Sequence, residues 1–187
     1  MKTTRLEAFS DGVLAIIITI MVLELKAPHA AELAALKPLF PVLLSYVLSF
    51  IYIGIYWNNH HHLFQATEQV SGGILWANLH LLFWLSLLPF TTGWIGENEL
   101  ASIPTAVYGF VLLMAATAYY IMERVIIANE GDSLVAEALG RERKGKLSLV
   151  LYVAAIPLAF VSPWIAAALY VLVALLWLAI HWAILLP

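Results

Sequence analysis

The sequence predicts an all-α membrane protein with six transmembrane helices per subunit. Three observations carry that prediction: an apolar composition, long apolar runs, and charge collected between the runs. Of the 187 residues, 63% are hydrophobic and 11% are charged, against about 25% charged in a soluble domain. The apolar residues do not alternate with polar ones at helical spacing, as on an amphipathic surface helix. They continue for lengths that cross a hydrocarbon core of about 30 Å. Backbone groups in hydrocarbon must be bonded internally, and the runs far exceed the roughly ten alternating residues of a barrel strand, so the spans are helices.

The first span covers about Leu6 to Leu25 and is closed by Lys26, Ala27 and Pro28. Its short cationic start resembles a signal peptide. Glu7 and Asp11 interrupt the apolar run, however, and no small-residue cleavage site follows, so it reads as a retained helix. The second span starts near Pro38, passes through Trp57 into a polar end at Asn58 to His62, and forms a hairpin with the first. The third runs from about Gly73 to Ile95, with Gly72 and Gly73 as loop residues at its start. Pro89 inside it predicts a kink, because proline removes one helical hydrogen bond and crowds the preceding turn. The fourth covers about Ile103 to Ile127, and a polar segment from Glu130 to Lys146 holds most of the loop charge. Two more spans follow from Leu147, separated by Ser162 and Pro163, where proline suits a first helical position. No repeat, low-complexity linker or soluble unit interrupts the chain, so residues 1–187 read as one membrane domain.

Lys and Arg in the loops set the orientation. Lys2, Arg5, Arg124, Arg141, Arg143, Lys144 and Lys146 fall on one side, and only Lys26 and Lys37 on the other. This predicts a multi-pass protein of the cell membrane with both termini cytoplasmic. Trp94 and Trp164 then lie near outward span ends, where an aromatic belt would place them. The net charge of −3 comes with no basic stripe for nucleic acid. Without cysteine there is no disulfide framework, thiolate metal site or thiol nucleophile. No nucleophile with an adjacent base, H-E-x-x-H or glycine-rich phosphate loop occurs, so neither an enzyme nor a cofactor is indicated. The Thr-Val-Gly-Tyr-Gly loop of ordinary potassium channels is also absent, and any pore would need side chains to constrict it.

Asp11 is the most informative residue, because a carboxylate one to two turns inside a membrane helix persists mainly where it has a partner or water. A structural ion pair and a functional carboxylate are both consistent with it. Arg5 and Glu7 lie at headgroup depth, where snorkelling makes them inexpensive. At 100° per residue Ile16, Thr19 and Leu23 fall within an arc of roughly 60°, while Asp11 and Ser10 point roughly 110° and 150° away from its centre. The first helix therefore has an apolar stripe with one hydroxyl and, elsewhere, a polar face for its neighbours. Candidate partners are Trp57, Asn58, Asn59, His60, His61 and His62 on the second helix, and Trp76, Asn78 and His80 on the third. Consecutive histidines invite a metal reading, but on a helix they diverge by 100°, so His60, His61 and His62 cannot converge on one ion without unwinding. The alternative is one His or Asn bonded inside the bundle, with the others facing headgroups and water. His181 on the last span reads as a lone interhelical donor.

Arg5, then Phe9, Ser10 and Asp11, resemble the R-x-x-x-F-S-D signature of the transmembrane protein 175 family of potassium channels. Tyr56, Trp57, Asn58, Asn59, His60 and His61, the stretch from Asn78 to Phe90 and the six-span layout extend the likeness over essentially the whole chain. Animal members carry two such six-helix repeats, and this chain carries one, like the bacterial members. The resemblance implies a homotetramer in the lipid bilayer, with the first helix of each subunit lining a central pore for K+ as the permeant ion. It places the hydrophobic constriction at Ile16, the selectivity-related threonine at Thr19 and a further apolar ring at Leu23. It also implies a bracing network of Arg5, Phe9, Ser10 and Asp11, with His61 and Asn78 as partners. The competing reading is a secondary transporter or proton pathway through Asp11 and the membrane histidines, against which stands the lack of an internal repeat.

Overall fold

The computed structural model describes residues 3–65, 67, 69–130 and 143–185, and among these every regular element is helical. Lys2, Arg141 and the side chains of Arg143 and His181 lie outside the described residues. The elements are α1 (Thr3–Leu23), a short 3-10 helix (Leu33–Leu39), α2 (Phe40–Gln65), α3 (Gly72–Ser86), α4 (Leu88–Glu97), α5 (Ser102–Glu130), α6 (Arg143–Val161) and α7 (Pro163–Leu185). Among the described residues five helical stretches are long and apolar enough to cross a membrane, with Pro163–Ala179 a shorter sixth.

Pro89 has a larger effect than the expected kink. Lacking an N–H, it cannot continue the ladder to the carbonyl one turn back. The chain tightens at Leu87, whose N–H bonds the Trp84 carbonyl at 3.2 Å, and then restarts as α4 with Pro89 in the first turn. The third span is thus two helices in line, together covering Gly72–Glu97. Ser71 caps α3 by accepting from the Ile74 N–H. α7 begins at Pro163, as a proline suited to a first helical position should. Pro157 inside α6 was not anticipated from the sequence.

Between α4 and α5 the chain reverses through Glu99 and Leu100, with φ of 47° and 62°. A bond from the Leu100 N–H to the Ile95 carbonyl at 3.1 Å closes this turn. Two successive non-glycine residues in the left-handed region cost roughly 1–2 kcal/mol each, so the turn is held by the helices it joins.

Lipid gives no hydrophobic drive between helices, so the bundle is held by close packing and interhelical hydrogen bonds. Ala115, Ala118, Ala155, Ala159 and Ala166 are fully buried, letting α5, α6 and α7 approach one another. Gly109 on α5 faces the Tyr170 hydroxyl so closely that a Cβ there would collide with it. At Gly96 a Cβ would lie 2.8 Å from the Val42 Cα, fixing α4 against α2. Ser49 bridges α2 to its neighbours through Thr92 at 2.6 Å and Tyr108 at 3.0 Å. The Tyr52 hydroxyl donates to the Tyr170 carbonyl at 2.6 Å. α1 packs on α2, α3 and α4, whereas α6 and α7 pack on α5, with α7 also touching α2. α1 therefore lies at one flank of the subunit.

Candidate functional site: the two faces of the first helix

α1 buries Leu6, Ser10, Leu14, Ile17 and Met21, which recur every three or four residues and form one stripe against α2, α3 and α4. The opposite stripe is bare. Ile16 is 58% exposed, Leu23 is 77% exposed, and Thr19 between them is exposed as well. Gly12 continues this stripe, and a Cβ there would meet nothing within 4 Å. The Thr19 hydroxyl donates to the Ile16 carbonyl at 2.9 Å. Its proton is thereby committed to the backbone, and its oxygen lone pairs remain free to face whatever fills the space beyond.

Ser10 centres the contacts on the buried face. Its Oγ donates to the Leu6 carbonyl at 3.0 Å and accepts from Asn78 Nδ2 at 3.0 Å. Asn78 Oδ1 then accepts from His60 Nε2 at 2.8 Å, which puts that ring's proton on Nε2. All three residues are buried, His60 against the Phe64 ring at 4.5 Å. Asp11 takes a separate partner: the Trp57 indole Nε1 donates to its Oδ1 at 3.0 Å on the exposed side of the α1–α2 seam.

The structure thus brings Ser10 together with Asn78, and Asp11 with Trp57, but the histidine on Asn78 is His60 rather than His61. His61 is one residue, or about 100°, further round α2. It pairs with Gln65 at 2.9 Å and stacks on Trp57 at 16°. Arg5 and Phe9 are exposed and stand outside the Ser10 and Asp11 contacts within this subunit. His80 accepts from Trp84 on its own helix at 3.0 Å, and Trp76 is exposed. At the other end of α1, Lys26 forms an exposed ion pair with Glu97 at 3.0 Å, which holds its ammonium above the usual lysine range through that hydrogen bond and charge.

One carboxylate inside a span escaped the sequence reading. Glu123, two turns from the end of α5, lines a cavity of about 250 Å³ between α2, α5 and α6. The test that singled out Asp11, an acidic residue within an apolar run, would have found it.

The family described as the endosomal/lysosomal potassium channel TMEM175 matches residues 5–89, which include both faces of α1 together with α2 and α3. A protein of Chryseobacterium sp. named a potassium channel is 58% identical over 179 residues, 95% of this chain and 93% of that one. A bovine protein named an endosomal/lysosomal proton channel is 30% identical over 179 residues, 83% of this chain and 36% of its own length. Among solved structures, the crystal structure of a lysosomal potassium-selective channel TMEM175 homolog from Chamaesiphon minutus superposes with a TM-score of 0.84 at 27% identity, covering 95% of this chain and 96% of that one. On an identity of 58% over nearly the full length of both proteins, the chain belongs to the TMEM175 family of channels.

Proposed function

We propose that the chain conducts potassium passively through a homotetrameric pore lined by α1, constricted by side chains instead of a carbonyl filter. The observation that carries this reading is the bare stripe of Ile16, Thr19 and Leu23 on a helix whose other face is firmly packed. One helix face cannot enclose a pore, so several subunits must contribute, and four is the number the family resemblance implies. Rings of Ile16 and Leu23 gate by dewetting, because a narrow apolar neck holds water poorly. Thr19 oxygens, their protons held by the Ile16 carbonyl, replace part of an ion's hydration shell between the rings. Ser10, Asn78, His60, Asp11 and Trp57 hold α1 from behind and fix the rotation that turns the stripe to the axis. The end of the bundle bearing the N-terminus faces the cytoplasm of the cell, on the distribution of Lys and Arg.

The test is a planar-bilayer recording of purified protein with potassium on one side and sodium on the other. A reversal potential displaced toward potassium is expected; a reversal near zero would overturn the selectivity. A second reading, proton permeation, draws on the proton-channel name of the bovine relative and on the imidazole of His60 beside α1. Liposomes with an internal pH dye and clamped potassium separate the two, since a steady internal pH under an applied proton gradient excludes it. Accumulation of an ion against its gradient would instead indicate coupled transport.

A further inference from the structure

We infer that Thr92 on α4 is a positioning residue for conduction, acting through Met21 to hold Thr19 and Leu23 toward the pore axis. The inference rests on the pore reading above and adds to it residues that do not themselves face the ion. The N-terminal half of α1 is gripped by α2 and α3, through Trp57 on Asp11 and Asn78 on Ser10. Its C-terminal end is gripped by α4 at three levels. The buried Thr92 hydroxyl donates to the buried Met21 sulfur at 3.9 Å. At Gly93 the Glu24 side chain lies so close that a Cβ would fall 3.4 Å from its Oε2. One turn further on, Glu97 pairs with Lys26 at 3.0 Å. The chain keeps coiling past Leu23, with the Glu24 N–H on the Met21 carbonyl at 3.3 Å and the Leu25 N–H on the Val22 carbonyl at 3.1 Å. The grip therefore acts on the helix itself.

Met21 is two residues from Thr19 and two from Leu23, a step of about 200° round the helix, so it stands behind both of them. Any shift of Met21 against α4 moves the Thr19 oxygen along the same line. A functional group needs its place held to within roughly 0.5 Å, and Thr92 has the support to do this. A thioether only accepts, so the Thr92 proton goes to Met21, Ser49 donates to Thr92 at 2.6 Å, and Tyr108 donates to Ser49 at 3.0 Å. This row of hydroxyls ties the back of α1 to α2 and α5. Lys26 and Glu97 are exposed, and exposed ion pairs are weak, which leaves the buried contact to set the rotation. Because the ladder of α3 stops at Leu87 and α4 restarts with Pro89 in its first turn, α4 is seated separately from α3. The two ends of α1 thus have separate holds.

The experiment records bi-ionic reversal potentials, potassium against sodium, for purified variants in planar bilayers. A reversal potential does not depend on how many channels are folded, so a loss of stability alone leaves it in place. Thr92→Val and Met21→Leu remove the contact from its two ends at nearly constant volume, and each should lower the potassium-to-sodium permeability ratio about threefold or more. Thr92→Ser keeps the hydroxyl and should keep the ratio. Ser49→Ala removes the hydroxyl that donates to Thr92 but spares the contact on α1, and it should keep the ratio too. If Thr19→Val lowers the ratio while Thr92→Val and Met21→Leu do not, the positioning role is overturned and the pore reading stands. An unchanged ratio in Thr19→Val would overturn both. Equal falls in Ser49→Ala and Thr92→Val would overturn the inference as well, since loss of the hydroxyl row, and not of the hold on α1, would then be the cause.

Discussion

Trp57 Nε1 donates to Asp11 Oδ1 at 3.0 Å, so the carboxylate that stands out in the first span is held by an indole from α2. Indole N–H is a donor only, and replacing it by phenyl leaves the ring stack on His61 but removes the bond. Trp57→Phe should lower stability in detergent by about 1 kcal/mol, the size of a partly exposed hydrogen bond to a charged group. Thermal unfolding measures this, and a midpoint equal to that of the unmodified protein would show that the bond carries no weight.

Asn78 joins two partners, and its removal takes a bond from each. Asn78→Ala leaves the buried His60 Nε2 without its bond to Oδ1, at a cost of about 1–3 kcal/mol, while Ser10 loses the Nδ2 donor but keeps its bond to the Leu6 carbonyl. His60→Ala should cost nearly as much, whereas His61→Ala should change stability little, because His61 is exposed and bonded to Gln65 on its own helix. Equal losses for His60→Ala and His61→Ala would refute the assignment of His60 as the inner histidine.

On the bare face of α1 substitution should change conduction and spare folding. In the proposed pore Ile16→Asn would hydrate the constriction, and it should raise potassium flux from liposomes severalfold. Thr19→Val removes the hydroxyl oxygen, whose proton is bonded to the Ile16 carbonyl, while Thr19→Ser keeps it. Bi-ionic reversal potentials should therefore move toward zero in Thr19→Val and stay in place in Thr19→Ser. If both variants shift alike, the hydroxyl oxygen is not what selects.

The turn between α4 and α5 stores strain in an exposed residue that can be exchanged freely. Glu99 has φ 47° and an exposed side chain, so Glu99→Gly should stabilise the protein by about 1 kcal/mol, the left-handed penalty being removed. Leu100 has the same conformation but packs against the core, so Leu100→Gly should give no such gain. A lower unfolding midpoint in Glu99→Gly would mean that its side chain, and not the backbone, holds the turn.

The spans and the two faces of α1 were legible because length in hydrocarbon and a 100° step per residue are properties of any helix, whatever surrounds it. The Ile16, Thr19 and Leu23 stripe needed only that arithmetic. The identity of the inner histidine did not follow from it. His60, His61 and His62 point in three directions, and which of them meets Asn78 depends on the rotation of α2, set by packing of other residues of that helix such as Tyr52 and Leu63. The break at Leu87 was half legible: Pro89 announced a disturbance, but whether a helix bends or restarts depends on what its neighbours allow. The Ser49, Thr92 and Tyr108 cluster was not legible, because each is an ordinary polar residue within an apolar run and only their meeting gives them meaning.

The division of α1 into a packed face and a bare one also bears on how the protein is made. The described contacts that fasten α1 come from α2, α3 and α4, so in the tetramer proposed above a chain would hold its first helix in place before it meets another copy. Until then Ile16 and Leu23 face acyl chains, with which they are compatible, and a newly inserted subunit is free to diffuse in the bilayer as a finished piece. Assembly of the proposed tetramer would then be the exchange of lipid for protein along one flank, a step that follows insertion and depends on the concentration of subunits in the membrane.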